Sequence, residues 1–566
     1  MLTGWVITRS ASARALLLAS VGVTLAILGW TSYGDTWIGI PLSTSFYYLF
    51  AVLDKAGAVA ILLVPIGAAL IARPGWLRPV GLWVNDHVHA IALFTVLALS
   101  AGTLLVYHNH RLSMDEYAAY FQSQVFATGH LTGRFPPALL DSLIPPVFQN
   151  YFLCVARATG AVASAYWPSF ALLLTPFTWL GAPWLCNPII SGLTLLAIHR
   201  LALRLFEDRE AAGLAVLLTA ASPVFFADGI SYYSMPAHLL ANTVYALLLL
   251  QPTPRKALLA GVVGSIALTL HNPAPHFLFA LPWLLWVARQ PQAGRLILCL
   301  GAGYLPLSVL LGIGWYEFIH ILMRAGAAPG HDTGTLGGDV SNTLDSAFSL
   351  PAVSLLYARA VGMAKVWVWA VPGIMILAAA GAWKLRHQAQ CRVLFWSAVS
   401  TLLGYLLVPV DQGHGWGFRY FHPVWMVLPI LAAGALTRSR ATGANDGFAT
   451  EDVRVFVTAC ALVTLVVGIG QRAAQISQFI TDDLSHLPYY AGPERQVMFV
   501  NTQFFYAIDL VQNDPLLRGN ILMVSHGPTA DAELMREQFP RMQRASLGPH
   551  GSVWVIPADK SVVQQP

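Results

Sequence analysis

Residues 88–107 read VHAIALFTVLALSAGTLLVY, and residues 108–117 continue HNHRLSMDEY. The first stretch contains no Asp, Glu, Lys or Arg. A helix rises about 1.5 Å per residue, so a run of about 20 apolar residues crosses the hydrocarbon core of a bilayer. The second stretch packs two histidines, an arginine and two adjacent carboxylates into ten positions. Such a segment belongs at the polar surface, because charge is costly in hydrocarbon. A span that opens onto a polar loop is therefore the unit from which this fold is read.

The same texture recurs along the chain. Further apolar runs lie near residues 15–30, 56–72, 186–205, 211–227, 236–251, 256–271, 277–289, 293–315, 366–384, 392–409, 422–437 and 454–470, which predicts about thirteen transmembrane helices. Of 566 residues, 56% are hydrophobic and 10% charged, with mean hydropathy +0.60. A soluble domain carries about a quarter charged residues, so a water-soluble globule is excluded. The net charge of +5 is dispersed and gives no sign of a nucleic-acid partner. Cys154, Cys186, Cys299, Cys391 and Cys460 show neither metal spacing nor a disulfide framework. Cys154 and Cys186 could pair, but buried or lipid-facing thiols are the reading taken.

Arg9 and Arg14 precede the run from Ala15 to Trp30, and no small-residue cleavage site follows, so it is expected to stay as a first span. Basic residues then set the topology. With the N-terminus cytoplasmic, the loops holding Arg73 and Arg78, Arg204 and Arg209, Arg255 and Lys256, Arg289 and Arg295, Lys384 to Arg392, and Arg438 to Arg454 all fall inside. Residues 108–185, 316–365, 410–421 and the tail beyond 471 then lie outside. Pro176 and Pro183 interrupt residues 168–185, and a span there would put the Arg200–Arg209 cluster outside. That segment is read as a helix in the outer interface.

The tail changes character. Short strands are expected at Val497–Val500, Ile521–Val524 and Val553–Ile556, with helices at Phe504–Val511 and Ala530–Gln538. The expected fold is an all-α polytopic membrane bundle with a small C-terminal extracytoplasmic α/β domain. Residues 1–87 supply two additional N-terminal helices, 88–470 the main module with outer loops at 108–185 and 316–365, and 471–566 the C-terminal domain.

Asp115 and Glu116 stand at the head of a helix that runs to Ala127 and stops at Gly129. Local physics offers a plain role: Asp115 as N-cap and Glu116 in the first turn, where the helix dipole favours negative charge. A second role rests on resemblance. Asp115-Glu116-Tyr117 with Tyr120, Phe126-Ala127-Thr128-Gly129, Tyr166-Trp167-Pro168-Ser169-Phe170, Trp184-Leu185-Cys186-Asn187-Pro188, the span end from Arg200 to Phe206, and Ala220 to Phe226 resemble the membrane glycosyltransferases of the GT-C superfamily. The likeness is to the protein O-mannosyltransferase and lipid A aminoarabinose transferase branch. It covers residues 88–290 well and 400–440 weakly, and the aromatic stretch at Tyr166 is a degenerate form of the family's.

The resemblance implies a GT-C-like bundle and an inverting transfer of a sugar from a polyprenyl-phosphate donor to an acceptor hydroxyl on the extracytoplasmic face of the plasma (inner) membrane. Asp115 would be the general base and Glu116 its orienting partner or an acceptor contact. Tyr117 and Tyr120 would contact sugar or acceptor. The loop from Asp411 to Pro423 would supply Arg419 for the donor phosphate, whose oxygens a guanidinium suits, with His414 and Tyr420 beside the sugar. Arg419 could also simply reach lipid headgroups. His271 stands where relatives often carry Arg-Pro and would contact phosphate or sugar; Asp228 and His238 would bind sugar hydroxyls. A plain helix-end carboxylate and singly hydrogen-bonded histidines are the other readings. No compact metal-ligand spacing appears, so no cofactor is assigned, although a divalent ion near Asp115 and Glu116 would be chemically reasonable.

Asp54-Lys55 is expected at the outer end of the second span, with both groups in water. Gly330 to Asp339 is glycine-rich but lacks a preceding strand and a P-loop lysine, so it reads as a loop over the acceptor entrance. Expected partners are the lipid-linked donor, membrane lipid, and a glycan, lipid or protein acceptor. A transporter of lipid-linked saccharides, or a non-catalytic assembly partner, are the alternatives. Spans nearly free of charge favour the enzyme.

Overall fold

A computed structural model describes residues 10–38, 42–324, 351–436, 448, 450–525 and 531–556. The glycine-rich loop at 330–339 and the basic residues Arg438 and Arg440 lie outside the described residues. The chain divides into two compact units. The first comprises Met1–Val106, Trp184–Gly312 and Thr335–Ile476, the second Tyr107–Pro183, Ile313–Gly334 and Ser477–Pro566.

The protein is a polytopic helical membrane protein. Among the described residues, seven helices are long and apolar enough to cross a bilayer: Ala11–Tyr33, Thr44–Ile71, Val88–Leu105, Pro183–Phe206, Ala293–Arg324, Ala389–Leu407 and Glu451–Leu484. Arg209–Ala220 and Pro223–Gly229, bent by 63°, make an eighth if taken as one. The count of thirteen expected from sequence also takes in Met235–Leu249, Ala274–Ala288, Ile374–Lys384 and His422–Leu436, which are apolar but shorter than a span, and the 15-residue helix Pro254–Leu268. The bend has a local cause. Pro223 lacks an N–H and its ring blocks continuation of the preceding helix, so Ser222 goes extended (ψ 120°) and a new short helix starts. That short helix delivers Asp228 into the interior of the first unit.

Lipid gives helices no hydrophobic reason to associate with each other, so close packing must come from small residues. Pro254–Leu268 lies against Ala293–Leu307 with Gly261 facing Gly303; a Cβ on Gly261 would overlap the Leu300 carbonyl and come within 2.8 Å of the Gly303 Cα. Across this seam the Ser265 hydroxyl donates to the Tyr304 carbonyl at 2.9 Å. Ile374–Lys384 meets Val427–Leu436 in the same way, where a Cβ on Gly381 would overlap the Leu431 carbonyl.

The second unit holds two sheets. Strands β1 (Gly133–Arg134), β2 (Leu153–Ala156) and β3 (Ala161–Ser164) form an antiparallel sheet in the order β1-β3-β2. Strands β4 (Gln496–Val500), β5 (Ile521–Ser525), β6 (Gln543–Gly548) and β7 (Gly551–Val555) form a mixed sheet in the order β5-β4-β7-β6. Helix Met114–Ala127 packs on both: Met114, Tyr117, Phe121 and Val125 share a core with Phe135 and Val162, and with Val497, Phe499 and Val524. Their spacing of three and four residues is one helical face. The expected helix at Phe504–Val511 is only a 3-10 turn, Ala507–Leu510, entered through Tyr506 at φ 66°. Strand β6 was not anticipated, because its sequence is polar and its residues are mostly exposed. All five cysteines are free thiols.

Replacing Gly261 with leucine is expected to force the two helices apart, at a cost of about 1–3 kcal/mol for overpacking. Thermal unfolding in detergent should show a lowered midpoint for Gly261→Leu, while the same change at Gly294, where an added Cβ meets nothing within 4 Å, leaves it near wild type.

Candidate functional site

In the second unit the two adjacent carboxylates have different surroundings. Helix Met114–Ala127 begins after Ser113, whose extended backbone (φ −134°, ψ 163°) makes it the N-cap. Asp115 is therefore the second helical residue and not the cap. Glu116 is fully buried; its Oε2 accepts the Leu112 N–H at 2.8 Å and the Tyr107 hydroxyl at 3.2 Å. This reach back from the third helical position ties down the backbone just before the N-cap Ser113. Glu116 therefore holds the segment that leads into the helix. Asp115 is half-buried, and its Oδ1 accepts the hydroxyl of Tyr166. Of the pair, Asp115 alone retains access to solvent.

The neighbours of this helix divide in the same way. Tyr117 is buried, its hydroxyl donates to the Asn513 carbonyl and accepts the Asn513 N–H at 2.8 Å, and burial raises its phenol above the ordinary value. It braces the helix. Tyr120 is half-buried, with the Arg111 guanidinium 4.4 Å above its ring. His110 Nε2 lies 3.7 Å from Asp483 Oδ2, and burial lowers the His110 pKa.

The first unit holds the other residues singled out by sequence. Arg419 is buried, its backbone N–H donates to Gln412 Oε1 at 2.9 Å, and its guanidinium donates to the Gln412 carbonyl and lies 4.7 Å over the Tyr233 ring. It is drawn into the protein and does not extend to headgroups. Two glycines make this possible. Gly415 (φ 97°) and Gly417 (φ 59°) take left-handed conformations, and a Cβ on Gly415 would strike Arg419 Cδ at 2.5 Å. Tyr420 stacks on Tyr405 at 4.2 Å, and its hydroxyl donates to the Asp411 carbonyl at 3.0 Å, so it braces the loop. His414 is half-buried in the same loop, and His271 is half-buried after Pro254–Leu268.

Asp228 is no plain helix end. It is wholly buried, with Oδ2 2.7 Å from His422 Nδ1. His238 is also fully buried, neither ring nitrogen has a hydrogen-bond partner among the described residues, and it interacts electrostatically with His271, His276 and His422. His276 is already used, by Asn242 at 2.7 Å and the Tyr304 hydroxyl at 2.7 Å. Among the described residues no three His, Cys, Asp or Glu side chains converge in a metal-binding arrangement.

Sequence reading misplaced Asp54. It does not stand in water beside Lys55; it is buried at the end of a π-helical turn, Leu49–Asp54, while Lys55 is exposed. Lys365 Nζ donates to Asp54 Oδ2 at 2.5 Å, Trp369 Nε1 to Oδ1 at 2.6 Å, and Arg472 lies 3.0 Å from Oδ1 with its guanidinium 3.8 Å over the Trp369 ring. Both cations are buried. Arg359 was also missed: it donates to the carbonyls of Tyr405, Val408 and Val410 at 2.8–3.0 Å and fixes the entry to the Arg419 loop. His422, by contrast, follows directly on Phe418-Arg419-Tyr420-Phe421 and was legible as a neighbour.

The fold has a counterpart among solved structures. The chain is similar to the crystal structure of ArnT from Cupriavidus metallidurans bound to undecaprenyl phosphate, with a TM-score of 0.51 and 12% identity over 83% of this chain and 98% of that one. The apo state of the same protein aligns at 0.47, with 12% identity over 82% and 97%. An oligosaccharyltransferase of Archaeoglobus fulgidus, in complex with zinc and sulfate, aligns at 0.34, with 12% identity over 68% and 53%. No protein-family model matches the sequence, and no curated protein does.

The Asp54 group yields a prediction with a definite order. Two cations share one carboxylate, so Asp54→Asn strands two buried positive charges, whereas Lys365→Met leaves a neutral pair. Breaking a buried ion pair from one side costs about 3–5 kcal/mol. Asp54→Asn is expected to lower the thermal midpoint in detergent by more than Lys365→Met does, and the reverse order would refute the shared-carboxylate account.

Proposed function

We propose that this protein is an inverting glycosyltransferase that moves a sugar from a polyprenyl-phosphate donor to an acceptor hydroxyl on the extracytoplasmic face of the membrane. The observation that carries the reading is the division of labour between Asp115 and Glu116. One carboxylate is buried and ties down the segment that leads into the helix, and the other stays half-open and accepts the Tyr166 hydroxyl. The fold adds support, since it is shared with a protein crystallised with undecaprenyl phosphate bound.

In this reading Asp115 takes the proton of the acceptor hydroxyl as that oxygen bonds to the anomeric carbon. The bond from that carbon to the phosphate oxygen breaks on the opposite side, and polyprenyl phosphate leaves with the electron pair. One displacement inverts the configuration. The leaving phosphate gathers negative charge, which a pre-placed guanidinium stabilises, and Arg419 takes that role. The Asp228–His422 pair and His238 are assigned to the sugar and its phosphate. We place the N-terminus in the cytoplasm and the C-terminal sheet outside. Three of the basic loops support a shared face, because Arg454 pairs with Glu210 at 2.7 Å, Arg78 with Glu451 at 3.5 Å, and Arg209 with Asp86.

A second reading, transport of a lipid-linked saccharide, draws on the Asp54–Lys365–Arg472 group, since buried charge among spans often marks a translocation path. Reconstituted protein separates the two: lipid-linked saccharide crossing the bilayer without any glycosidic product would support transport.

Purified protein in detergent should transfer labelled sugar from a polyprenyl-phosphate donor. Asp115→Asn is expected to lower the rate by about 10²–10⁴-fold, the usual contribution of a general base, with donor KM little changed. Undiminished transfer by that variant would overturn the assignment. Arg419→Ala should weaken donor binding and slow transfer, and Arg419→Lys should restore only part of both, because a lysine cannot reproduce a planar two-donor contact.

A further inference from the structure

Helix Met114–Ala127 has to satisfy the N–H groups of its first turn without intrahelical partners. Those of Glu116 and Tyr117 go to the Ser113 carbonyl, each at 3.0 Å. That of Met114 goes elsewhere, to Asp509 Oδ1 at 2.8 Å, from a residue 395 positions downstream. Asp509 sits on the 3-10 turn Ala507–Leu510 between β4 and β5, and it is buried. The residues that follow continue the grip. Gln512 Nε2 donates to the Arg111 carbonyl at 2.6 Å, and Asn513 holds Tyr117 on one side and the Met523 backbone on the other. The turn is thus clamped both to the helix and to the sheet.

We propose that Asp509 is a positioning residue: through the Met114 N–H it fixes the start of the helix that presents Asp115, so the C-terminal sheet sets the base. The proposal rests on the reading of Asp115 as the base. The charged groups that act on Asp509 are Asp483 on Ile469–Leu484 and Asp115 and Glu116 on the helix; His110 lies 3.7 Å from Asp483. Burial, and then the charges of Asp483, Asp115 and Glu116, push the Asp509 carboxyl up to about 8. The raised value favours the protonated carboxyl, whose carbonyl oxygen accepts the Met114 N–H as an asparagine side chain would.

The sign of the pH effect follows. The folded-state pKa is raised above the unfolded carboxylate value of 3.8, so the folded form binds the extra proton between the two. That contribution is fully present below the unfolded value, declines as pH rises toward about 8, and is gone above it. Ionised Asp509 would then place another negative charge beside Asp115, Glu116 and Asp483.

The test uses the full-length protein in detergent and compares wild type, Asp509→Ala and Asp509→Asn from pH 6 to 9. Asp509→Ala is expected to lower kcat at least tenfold at pH 7, with donor KM within twofold of wild type. Asp509→Asn should restore kcat at pH 7 and keep it at pH 9, where wild type declines. Wild-type kcat in Asp509→Ala, or an Asp509→Asn variant as slow as the alanine form, would overturn the proposal. Amide hydrogen exchange across residues 114–127 should rise in Asp509→Ala and stay at wild-type level in Asp115→Asn. That readout needs no turnover. Raised exchange alongside a fully active Asp115→Asn would sink the base assignment while keeping the clamp; unchanged exchange in Asp509→Ala would sink the clamp.

Discussion

The carboxylate of Asp54 lies among helices that give it no water, and Lys365, Arg472 and Trp369 answer it instead. These residues come from three distant parts of the sequence, so the ion group ties the π-helical turn Leu49–Asp54 to Val353–Val368 and to Glu451–Leu484. Its reach is longer than its contacts. Trp369 lies 6.2 Å from Trp416, and Trp416 is set between the two left-handed glycines of the loop that carries Arg419. The same constraint recurs through the first unit. Where lipid supplies neither donors nor acceptors, each buried polar group must find its partner in the protein. Arg359 donates to carbonyls, Asp228 lies beside His422, and His276 is held by Asn242 and Tyr304. Polar partnership therefore fixes how the helices are placed, and small residues such as Gly261 and Gly303 let them approach.

What the sequence made legible follows from range. Hydrophobic runs and helix breakers are local signals, so the spans, the helix after Asp115 and strands β4, β5 and β7 could be read directly. Ion pairing is not local. Asp54 was read with Lys55 because they are adjacent, yet its partners stand more than three hundred positions away. The spans were taken to be nearly free of charge for the same reason: Lys365 and Arg472 look like helix-end residues until their common acceptor is seen. Turns failed differently. Phe504 to Val511 has the apolar content of a helix, but Asp509, Gln512 and Asn513 direct their side chains to Met114, Arg111 and Met523, and the backbone follows those bonds. Strand β6 carries too little apolar pattern to be seen at all.

The second unit shows how one helix start can separate two carboxylates that the sequence presents as a pair. A helix N-terminus attracts negative charge, which alone would make Asp115 and Glu116 interchangeable. Position breaks the symmetry. Successive helical residues point about 100° apart, so Glu116 turns back over the preceding turn toward Leu112 and Tyr107 while Asp115 faces Tyr166. Glu116 holds the approach to the helix, Asp509 holds its first N–H, and Asp115 accepts the Tyr166 hydroxyl. A carboxylate that caps is committed to backbone donors and cannot readily take up a proton without loosening the helix. Asp115 is thus the one group in the pair whose accessibility suits proton transfer, and the helix that carries it is held by bonds that span the length of the chain.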